Sequence, residues 1–250
     1  MTTTILVTGG TGRLGRALVP LLAEAGYRVR VLTRAQRAPA AWEWVRGDLR
    51  TGRGVAEAIE GADVLVHLAT SLGRGDIAAT RTLLGAVGAG KPHLVYPSIV
   101  GIDSIAFGYY RAKLACERLV EDSGLPWTIL RTTQFHELIA TVCDAQRRLP
   151  VTVMPSRVCF QPIDGTEVAE RLAGLVAAPA AGRVPDLGGP QVRDAADLAR
   201  SYLRAIGRRR PVWPVPLAGK AIRDFRAGRH LARERAAGRI TFEEFASGRR

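Results

Sequence analysis

Short apolar runs alternate with segments of helical periodicity along the first half of the chain. Residues 4–9, TILVTG, predict a buried strand, and residues 13–26 follow with leucines at helical spacing and Gly26 as the stop. Pro20 is expected to perturb the middle of that helix. Further strands are predicted at 28–34, 42–48, 62–69, 91–98, 126–131 and 182–189, with a helix at 109–124. This alternation predicts an α/β fold with a doubly wound parallel sheet.

The alternating pattern weakens beyond about residue 132. Prolines interrupt this part of the chain at Pro150, Pro155, Pro162, Pro179 and Pro185. We therefore expect residues 1–250 to form a single domain with a small, less regular C-terminal lobe, mainly within 132–180 and 190–250. A length of 250 residues and a hydrophobic content of 47% are sufficient for a buried core.

The charge balance raises the question of an anionic partner. The chain carries 36 basic and 23 acidic residues, a net charge of +13. The arginines are spread along the sequence, and the dense run GRRR at 207–210 has no interleaved aromatic residues. The distribution favours an arginine-rich surface with a local pocket for an anionic cofactor over a nucleic-acid-binding protein.

Cysteine usage and hydropathy exclude other classes. Cys116, Cys143 and Cys159 show no C-x-x-C spacing, so neither a disulfide framework nor a metal site is predicted. No run approaches the roughly 18 to 20 apolar residues of a membrane helix. The N-terminal residues lack the basic region and cleavage site of a signal peptide. We expect a cytoplasmic protein with no membrane partner.

A glycine-rich turn joins the first predicted strand to the first helix. The sequence TGGTGRLG at 8–15 places Gly9, Gly12 and Gly15 three residues apart. Gly9 permits the tight turn, Gly12 lets the backbone approach a pyrophosphate, and Gly15 allows close helix–strand packing. The helix N-terminus adds free amides and a positive dipole end. In this strand–turn–helix context the motif predicts a dinucleotide-binding site.

The residues after the second strand indicate which dinucleotide binds. A site selective for NAD places an acidic residue there, but this chain has Arg34 and Arg37. A guanidinium can hold the 2′-phosphate in two hydrogen bonds, which favours NADP(H). Asp48 ends the third strand, where it either accepts from the adenine amino group or serves as a solvated loop aspartate.

Together these segments resemble the short-chain dehydrogenase/reductases in their atypical, NmrA-like branch, within the NAD(P)-binding Rossmann family. The likeness covers most of the chain and rests on TGGTGRLG (8–15), RGDL (46–49), VHLAT (66–70), YPSIVGID (96–103), the Tyr109 to Lys113 pair, SGLPWTILRTTQFHE (123–137), FQPIDGTEVAERL (160–172) and DLGGPQVRDAADLAR (186–200).

The resemblance implies a catalytic set of Tyr109, Lys113 and Ser98. In the superfamily a Tyr-x-x-x-Lys pair works with a serine at the end of the fifth strand. Four residues make about one helical turn, so Tyr109 and Lys113 share a face, and the ammonium is expected to lower the phenol's pKa. Tyr109 would protonate the carbonyl oxygen, Ser98 would hydrogen-bond it, and Lys113 would hold the nicotinamide ribose. Tyr110 points about 100° away around the helix and is expected to pack.

Other candidates follow from their positions at the carboxyl edge of the predicted sheet. His67 ends the fourth strand and is expected to be structural. The predicted substrate-pocket residues are Phe107, Gln134, Phe135 and His136. The predicted cofactor-binding residues are Gly9, Thr11, Gly12, Arg13, Leu14, Gly15, Arg34, Arg37, Asp48, Leu49, Ala69, Thr70, Lys113 and Thr132.

The sequence therefore predicts an NADPH-dependent oxidoreductase that reduces a carbonyl or quinone-like small molecule. Two alternatives stay open: a non-catalytic redox sensor that binds NADP(H), and an NAD(P)-dependent epimerase or dehydratase. By analogy with the superfamily, helices at 77–90 and 109–124 could pair two subunits, so we expect a monomer or a homodimer.

Overall fold

The computed structural model describes residues 2–248, which form two compact units. The first unit contains the residues up to Ser98 together with Gly108–Leu130 and Val168–Val184. The second contains Ile99–Phe107, Arg131–Glu167 and the residues from Pro185 onward. Residues 168–180, which the sequence assigned to the lobe, cluster with the first unit.

A seven-stranded sheet organises the first unit, in the order β3-β2-β1-β4-β5-β6-β9. The pairings of β1 with β2 and β4, of β2 with β3, of β4 with β5 and of β6 with β9 are parallel. Every residue of the two central strands β1 and β4 is buried, as expected when helices cover both faces. The strands are β1 (Thr4–Thr8), β2 (Arg28–Thr33), β3 (Glu43–Arg46), β4 (Val64–His67), β5 (His93–Ile99), β6 (Trp127–Thr132) and β9 (Gly182–Arg183).

The helices that connect these strands bury one face each, which is apolar in α1 and includes polar residues in α3 and α4. In α1, Leu18, Val19 and Leu22 face the core, and the helix continues through Pro20, so the expected perturbation does not end it. One core cluster includes Leu6, Leu65, Leu94 and Ile129 from the sheet and Leu83 from α3. The helices are α1 (Arg13–Glu24), α2 (Val55–Ile59), α3 (Gly75–Gly85), α4 (Gly108–Glu121) and α6 (Gly165–Val176).

The predicted doubly wound α/β fold is confirmed, and the first six strands lie close to their predicted bounds. The prediction for the last strand was too long. Gly182–Arg183 pairs as β9, Pro185 has no amide proton for a ladder, and beyond it Leu187 forms an isolated parallel bridge with Thr132.

The second unit is more regular than the sequence predicted. Its core is built around α5, α7 and α9, with Ile139, Leu198, Tyr202 and Phe242 buried together. Local capping explains two helix starts: the Asp194 carboxylate accepts from the Ala196 amide before α7, and Thr241 forms a capping box before α9. The elements are α5 (His136–Ala145), β7 (Thr152–Pro155), β8 (Cys159–Phe160), β10 (Arg193–Asp194), α7 (Ala195–Ala205), β11 (Val212–Val215), α8 (Lys220–Arg226), a 3₁₀ turn (Arg233–Arg235) and α9 (Phe242–Ser247).

Two absences hold for residues 2–248. None of the helices there is both long and apolar enough to span a bilayer. Within the same range, no three His, Cys, Asp or Glu side chains are grouped so that they could ligate a metal ion.

Candidate functional site

The glycine turn between β1 and α1 is held by close backbone contacts. Gly9 adopts φ +69°, and a Cβ there would lie 2.6 Å from the backbone of Leu68 and Ala69, in the loop after β4. At Gly15 a Cβ would overlap the backbone of Gly10. At Gly12 the only atom near an added Cβ would be the Gly9 carbonyl oxygen, at 3.1 Å. Gly9 and Gly15 are therefore required for packing, whereas the contact at Gly12 is limited to the Gly9 carbonyl oxygen.

The N-terminus of α1 is free to receive an anion. Its N-cap is Gly12, no side chain caps it, and its first turn contains no acidic residue. Arg16 Nε donates to the Thr11 carbonyl at 2.9 Å and fixes the loop. Of the predicted neighbours, Gly12 and Arg13 are exposed, and Thr11 and Leu14 are partly exposed. Unmatched backbone amides and the positive helix end suit a pyrophosphate.

The loops after β2 and β3 carry the candidates for adenosine binding. Arg34 and Arg37 are exposed, and within residues 2–248 neither forms a hydrogen bond or salt bridge. The Asp48 carboxylate accepts from the Arg50 amide at 2.9 Å, and this bond holds the pKa of Asp48 below its ordinary value. The side chain of Leu49 lies in the core, so only its backbone could meet a ligand. The two arginines remain available to a phosphate.

His67, the last residue of β4, is a structural residue. Its side chain is 1% exposed, its ring stacks on Tyr96, and burial lowers its pKa to about 3. Thr80 Oγ1 donates to the Asp76 carbonyl, so it must accept from His67 Nε2 at 3.1 Å. His67 Nδ1 then accepts from Thr8 Oγ1 at 2.7 Å. These bonds assign a neutral histidine protonated at Nε2, as a linker between β1 and α3.

A buried carboxylate organises the loop after β4. Asp76, in the first turn of α3, is 2% exposed. It accepts from Thr70 Oγ1 at 2.6 Å and from Ser71 Oγ at 2.8 Å, and it also accepts from the Ser71 amide. Sequence reasoning missed Asp76. An aspartate just before the predicted helix 77–90 looks like an ordinary N-terminal acid, and the fold shows that its side chain turns back to the loop.

Ser98 lies on β5 with its side chain buried at 4% exposure. Its Oγ has no hydrogen-bond partner among the described residues. A buried hydroxyl without a partner is costly unless a ligand or water satisfies it. This orphan hydroxyl fits the predicted contact with a substrate oxygen.

Lys113, on α4, is a buried ammonium with defined partners. It is 7% exposed and donates to Tyr96 Oη at 2.7 Å and to the Pro97 carbonyl at 2.9 Å. An ammonium has three donors, so one remains for a ligand within the described structure. Burial lowers the pKa of Lys113 to about 8, while Cys116, Asp76 and Glu117 act in the opposite direction. At neutral pH the side chain keeps its charge.

Tyr109 is half-buried in the first turn of α4, and its hydroxyl hydrogen-bonds Thr70. The prediction that Lys113 lowers the pKa of this phenol is wrong. Burial raises the pKa of Tyr109, and the ammonium is bound to Tyr96 and Pro97 instead. The phenol is therefore fully protonated at neutral pH and can act as a donor. Tyr110 is buried, as predicted for a packing residue.

The first unit thus brings together the glycine turn and the loops after β2, β3 and β4. Ser98, Tyr109 and Lys113 belong to the same unit, on β5 and α4. Besides Asp76, sequence reasoning missed Tyr96, which reads as an apolar strand residue until its hydroxyl is seen to accept from Lys113.

The remaining candidates belong to the second unit. Phe107 is 46% exposed and meets the ring of Phe225 edge-on. Thr132 and Gln134 are buried, and Phe135 is the partly exposed N-cap of α5. His136 is 0% exposed, its ring stacks on Phe245, and its Nε2 donates to the Ile240 carbonyl at 3.0 Å. Against the prediction, His136 offers no surface to a ligand in this structure, because it is packed into the core of the unit.

Two known proteins are similar to this chain in sequence over most of its length. The photosystem II assembly factor Ycf39 of Cyanophora paradoxa is 28% identical over 233 residues, which are 86% of this chain and 72% of that protein. The (4-alkanoyl-5-oxo-2,5-dihydrofuran-3-yl)methyl phosphate reductase of Streptomyces griseus is 28% identical over 214 residues, 82% of this chain and 74% of that enzyme.

Two solved structures share the fold. An NADPH-dependent quinone oxidoreductase of Escherichia coli superposes with a TM-score of 0.79 at 17% identity, covering 98% of both chains. A nucleoside-diphosphate-sugar epimerase of Staphylococcus aureus gives 0.78 at 15% identity, covering 99% of this chain and 100% of that one. At such identity these likenesses show the fold alone.

A family model described as NAD(P)H-binding matches residues 9–147, which run from the glycine turn through β6 and α5. The match agrees with the uncapped start of α1 and the close packing at Gly9 and Gly15. It also confirms the resemblance to NAD(P)-binding Rossmann proteins that the sequence predicted. The chain belongs to the NAD(P)H-binding family.

Proposed function

We propose that the protein is an NADPH-dependent reductase of a carbonyl or quinone-like small molecule. The bound nicotinamide would supply the hydride, and the chain's residues would bind, orient and protonate. The observation that carries the proposal is the buried Ser98 hydroxyl, which lacks a partner within residues 2–248, in the same unit as the charged Lys113 and the protonated Tyr109. In this proposal Ser98 and Tyr109 bind one substrate oxygen atom, and Lys113 binds the ribose of the cofactor.

Each residue has a distinct role in this proposal. Ser98 Oγ donates to the substrate oxygen and stabilises the negative charge that develops there. Tyr109 gives its phenolic proton to that oxygen. Lys113 donates its remaining hydrogen to the ribose hydroxyls, while the Pro97 carbonyl and Tyr96 Oη hold the ammonium in place. The amides at the start of α1 bind the pyrophosphate.

Selectivity for NADPH over NADH is part of the proposal. Arg34 and Arg37 follow β2 on the exposed surface and form no salt bridge among the described residues. Either guanidinium could grip a 2′-phosphate, whereas no acidic residue of the segment 34–37 is present to bind the free ribose hydroxyls.

Binding of NADP(H) without turnover is the competing function. It is favoured by the position of the Lys113 ammonium, which donates to Tyr96 and Pro97, while burial raises the pKa of Tyr109. A phenol of raised pKa gives up its proton less readily, so it is a weaker acid for catalysis.

The test is NADPH oxidation, followed by absorbance, against a panel of quinones, aromatic ketones and aldehydes. Wild type is compared with Tyr109→Phe and with the matched control Tyr27→Phe, which alters a partly exposed tyrosine at the amino end of β2. We expect Tyr109→Phe to lower turnover by about 10²-fold or more and Tyr27→Phe to leave it unchanged. Full turnover in Tyr109→Phe would mean hydride transfer without this acid. Tight NADPH binding with no turnover of any compound would favour the non-catalytic function.

A further inference from the structure

Three polar groups of the first unit are linked through one buried carboxylate. Thr70 Oγ1 donates to Asp76 Oδ2 at 2.6 Å, so its only proton is committed. A hydrogen bond between the Tyr109 hydroxyl and the same Thr70 acts to lower the pKa of Tyr109, so the two hydroxyls are neighbours. Thr70 also accepts from the Leu72 amide at 3.1 Å, which completes its bonding capacity. Thr70 thus links the Tyr109 phenol to the buried carboxylate of Asp76.

Asp76 also acts electrostatically on the site. Its charge favours the protonated forms of Lys113, Tyr109 and Tyr96. No basic side chain is among its three hydrogen-bond donors, which are hydroxyls and an amide of Thr70 and Ser71. A carboxylate at 2% exposure without a salt bridge is costly to bury, which calls for a compensating role.

We propose that Asp76 is a positioning residue of the reductase site, which fixes Thr70 beside the Tyr109 phenol and supplies the negative charge that faces the buried Lys113 ammonium. The inference rests on the proposed function, because it assigns Asp76 to the same proton donor and the same ribose ligand. It predicts that Asp76 acts on cofactor binding through Lys113 and on turnover through Thr70 and Tyr109.

Several titratable groups surround Lys113 and act on its pKa, so a test of Asp76 must separate its effect from theirs. Tyr96 on β5, His67 on β4 and Asp76 on α3 face it, and Cys116 and Glu117 share its own helix α4. Asp76 and Cys116 raise the pKa of Tyr109 electrostatically, and Tyr109 in turn raises the pKa of Tyr96. Asp76 and Glu117 are the two carboxyl groups that act on Lys113, and of these two Asp76 is the one bonded to Thr70.

The experiment is the dissociation constant of NADPH from pH 6 to pH 10, measured by fluorescence titration. In wild type we expect affinity to weaken as pH rises through the pKa of Lys113, about 8. In Asp76→Asn the same weakening should begin about one pH unit lower, since an opposite charge is lost. Thr70→Val keeps the charge and should leave this pH dependence in place, while lowering turnover by about tenfold. Asp122→Asn, which removes an exposed acid just after α4, should change neither.

The binding readout is independent of turnover, so failure of the reductase proposal can be told apart from failure of this one. If wild type binds NADPH but reduces nothing, the shift in Asp76→Asn still tests the inference. An unshifted pH dependence in a folded Asp76→Asn variant would overturn it. Equal shifts in Asp76→Asn and Thr70→Val would also overturn it, because the effect would then come from the loop and not from the charge.

Discussion

The ammonium of Lys113 donates a 2.7 Å hydrogen bond to the hydroxyl of Tyr96 and lies 4.0 Å from the centre of the same ring. The phenol therefore both accepts from the cation and packs against it. A buried ammonium at 7% exposure depends on such partners, because desolvation works against its charge.

Replacing Tyr96 by Phe should therefore affect both stability and binding. The variant leaves a buried cation with one partner fewer, and we expect the free energy of unfolding to fall by about 1 to 3 kcal/mol. NADPH affinity should fall several-fold, because Lys113 is less well held. The matched control is Tyr202→Phe in the second unit, which removes hydroxyl bonds to Asp144 at 2.9 and 3.0 Å. Urea unfolding should detect both changes, and only Tyr96→Phe should weaken NADPH binding.

Cofactor choice should depend on the arginines after β2. Arg34→Ala is expected to weaken NADPH binding by about tenfold or more and to leave NADH binding nearly unchanged, because only NADPH carries the 2′-phosphate. Arg28→Ala at the exposed amino end of the same strand is the control. Isothermal titration with both cofactors gives the ratio directly. Equal losses for NADPH and NADH in Arg34→Ala would contradict the assigned role.

The buried His67 should make stability fall with acidification. Its pKa is about 3 in the folded protein, against an ordinary value of about 6.5, so the unfolded chain binds the proton first. Stability is therefore complete above pH 6.5 and should be lost as pH falls toward 3, with a slope of about 1.4 kcal/mol per pH unit from this residue. Denaturant unfolding at about pH 7.5, 6 and 5 would show a shallower dependence in His67→Gln. Identical slopes for the two proteins would rule out His67 as the source.

Gly9 should be far less replaceable than another glycine of similar backbone conformation. Gly9 and Gly26 have φ values of +69° and +83°, but a Cβ at Gly26 would meet nothing within 4 Å. Gly26→Ala should thus cost only the strain of the left-handed backbone, about 1 to 2 kcal/mol. Gly9→Ala adds overlap with Leu68 and Ala69 and should cost considerably more. Comparable losses in thermal unfolding would mean that the neighbouring loop yields easily.

The elements of the fold that could be predicted are those with a clear local periodicity of apolar residues. Most of the strands from β1 to β6 were identified because they are short apolar runs bounded by turn residues. The helices of the second unit were missed, because prolines such as Pro150 and Pro162 obscure the periodicity between them. Their starts depend on single caps, Asp194 and Thr241, which are weak signals in an arginine-rich sequence.

The geometry of the candidate site was predictable where one motif forms it and less so where residues distant in sequence meet. The glycine turn could be identified from spacing alone. The spacing of Tyr109 and Lys113 correctly placed both on α4, but it could not show that the ammonium bonds Tyr96, which lies on β5. Asp76 escaped notice for the same reason, since its bonds to Thr70 and Ser71 depend on how the loop after β4 folds back.

The three glycines of the turn are constrained in two different ways, by the backbone of the chain and by a bound ligand. Gly9 and Gly15 are constrained by the chain's own backbone, so any sequence that adopts this turn must keep them whether or not it binds a nucleotide. Gly12, with only one carbonyl nearby, is constrained mainly by what approaches from outside. We expect a chain that retained Gly9 and Gly15 but carried a larger residue at position 12 to keep the turn and to bind the dinucleotide more weakly. We therefore expect the residue at position 12 of this turn to decide whether the chain binds a dinucleotide or only keeps the fold.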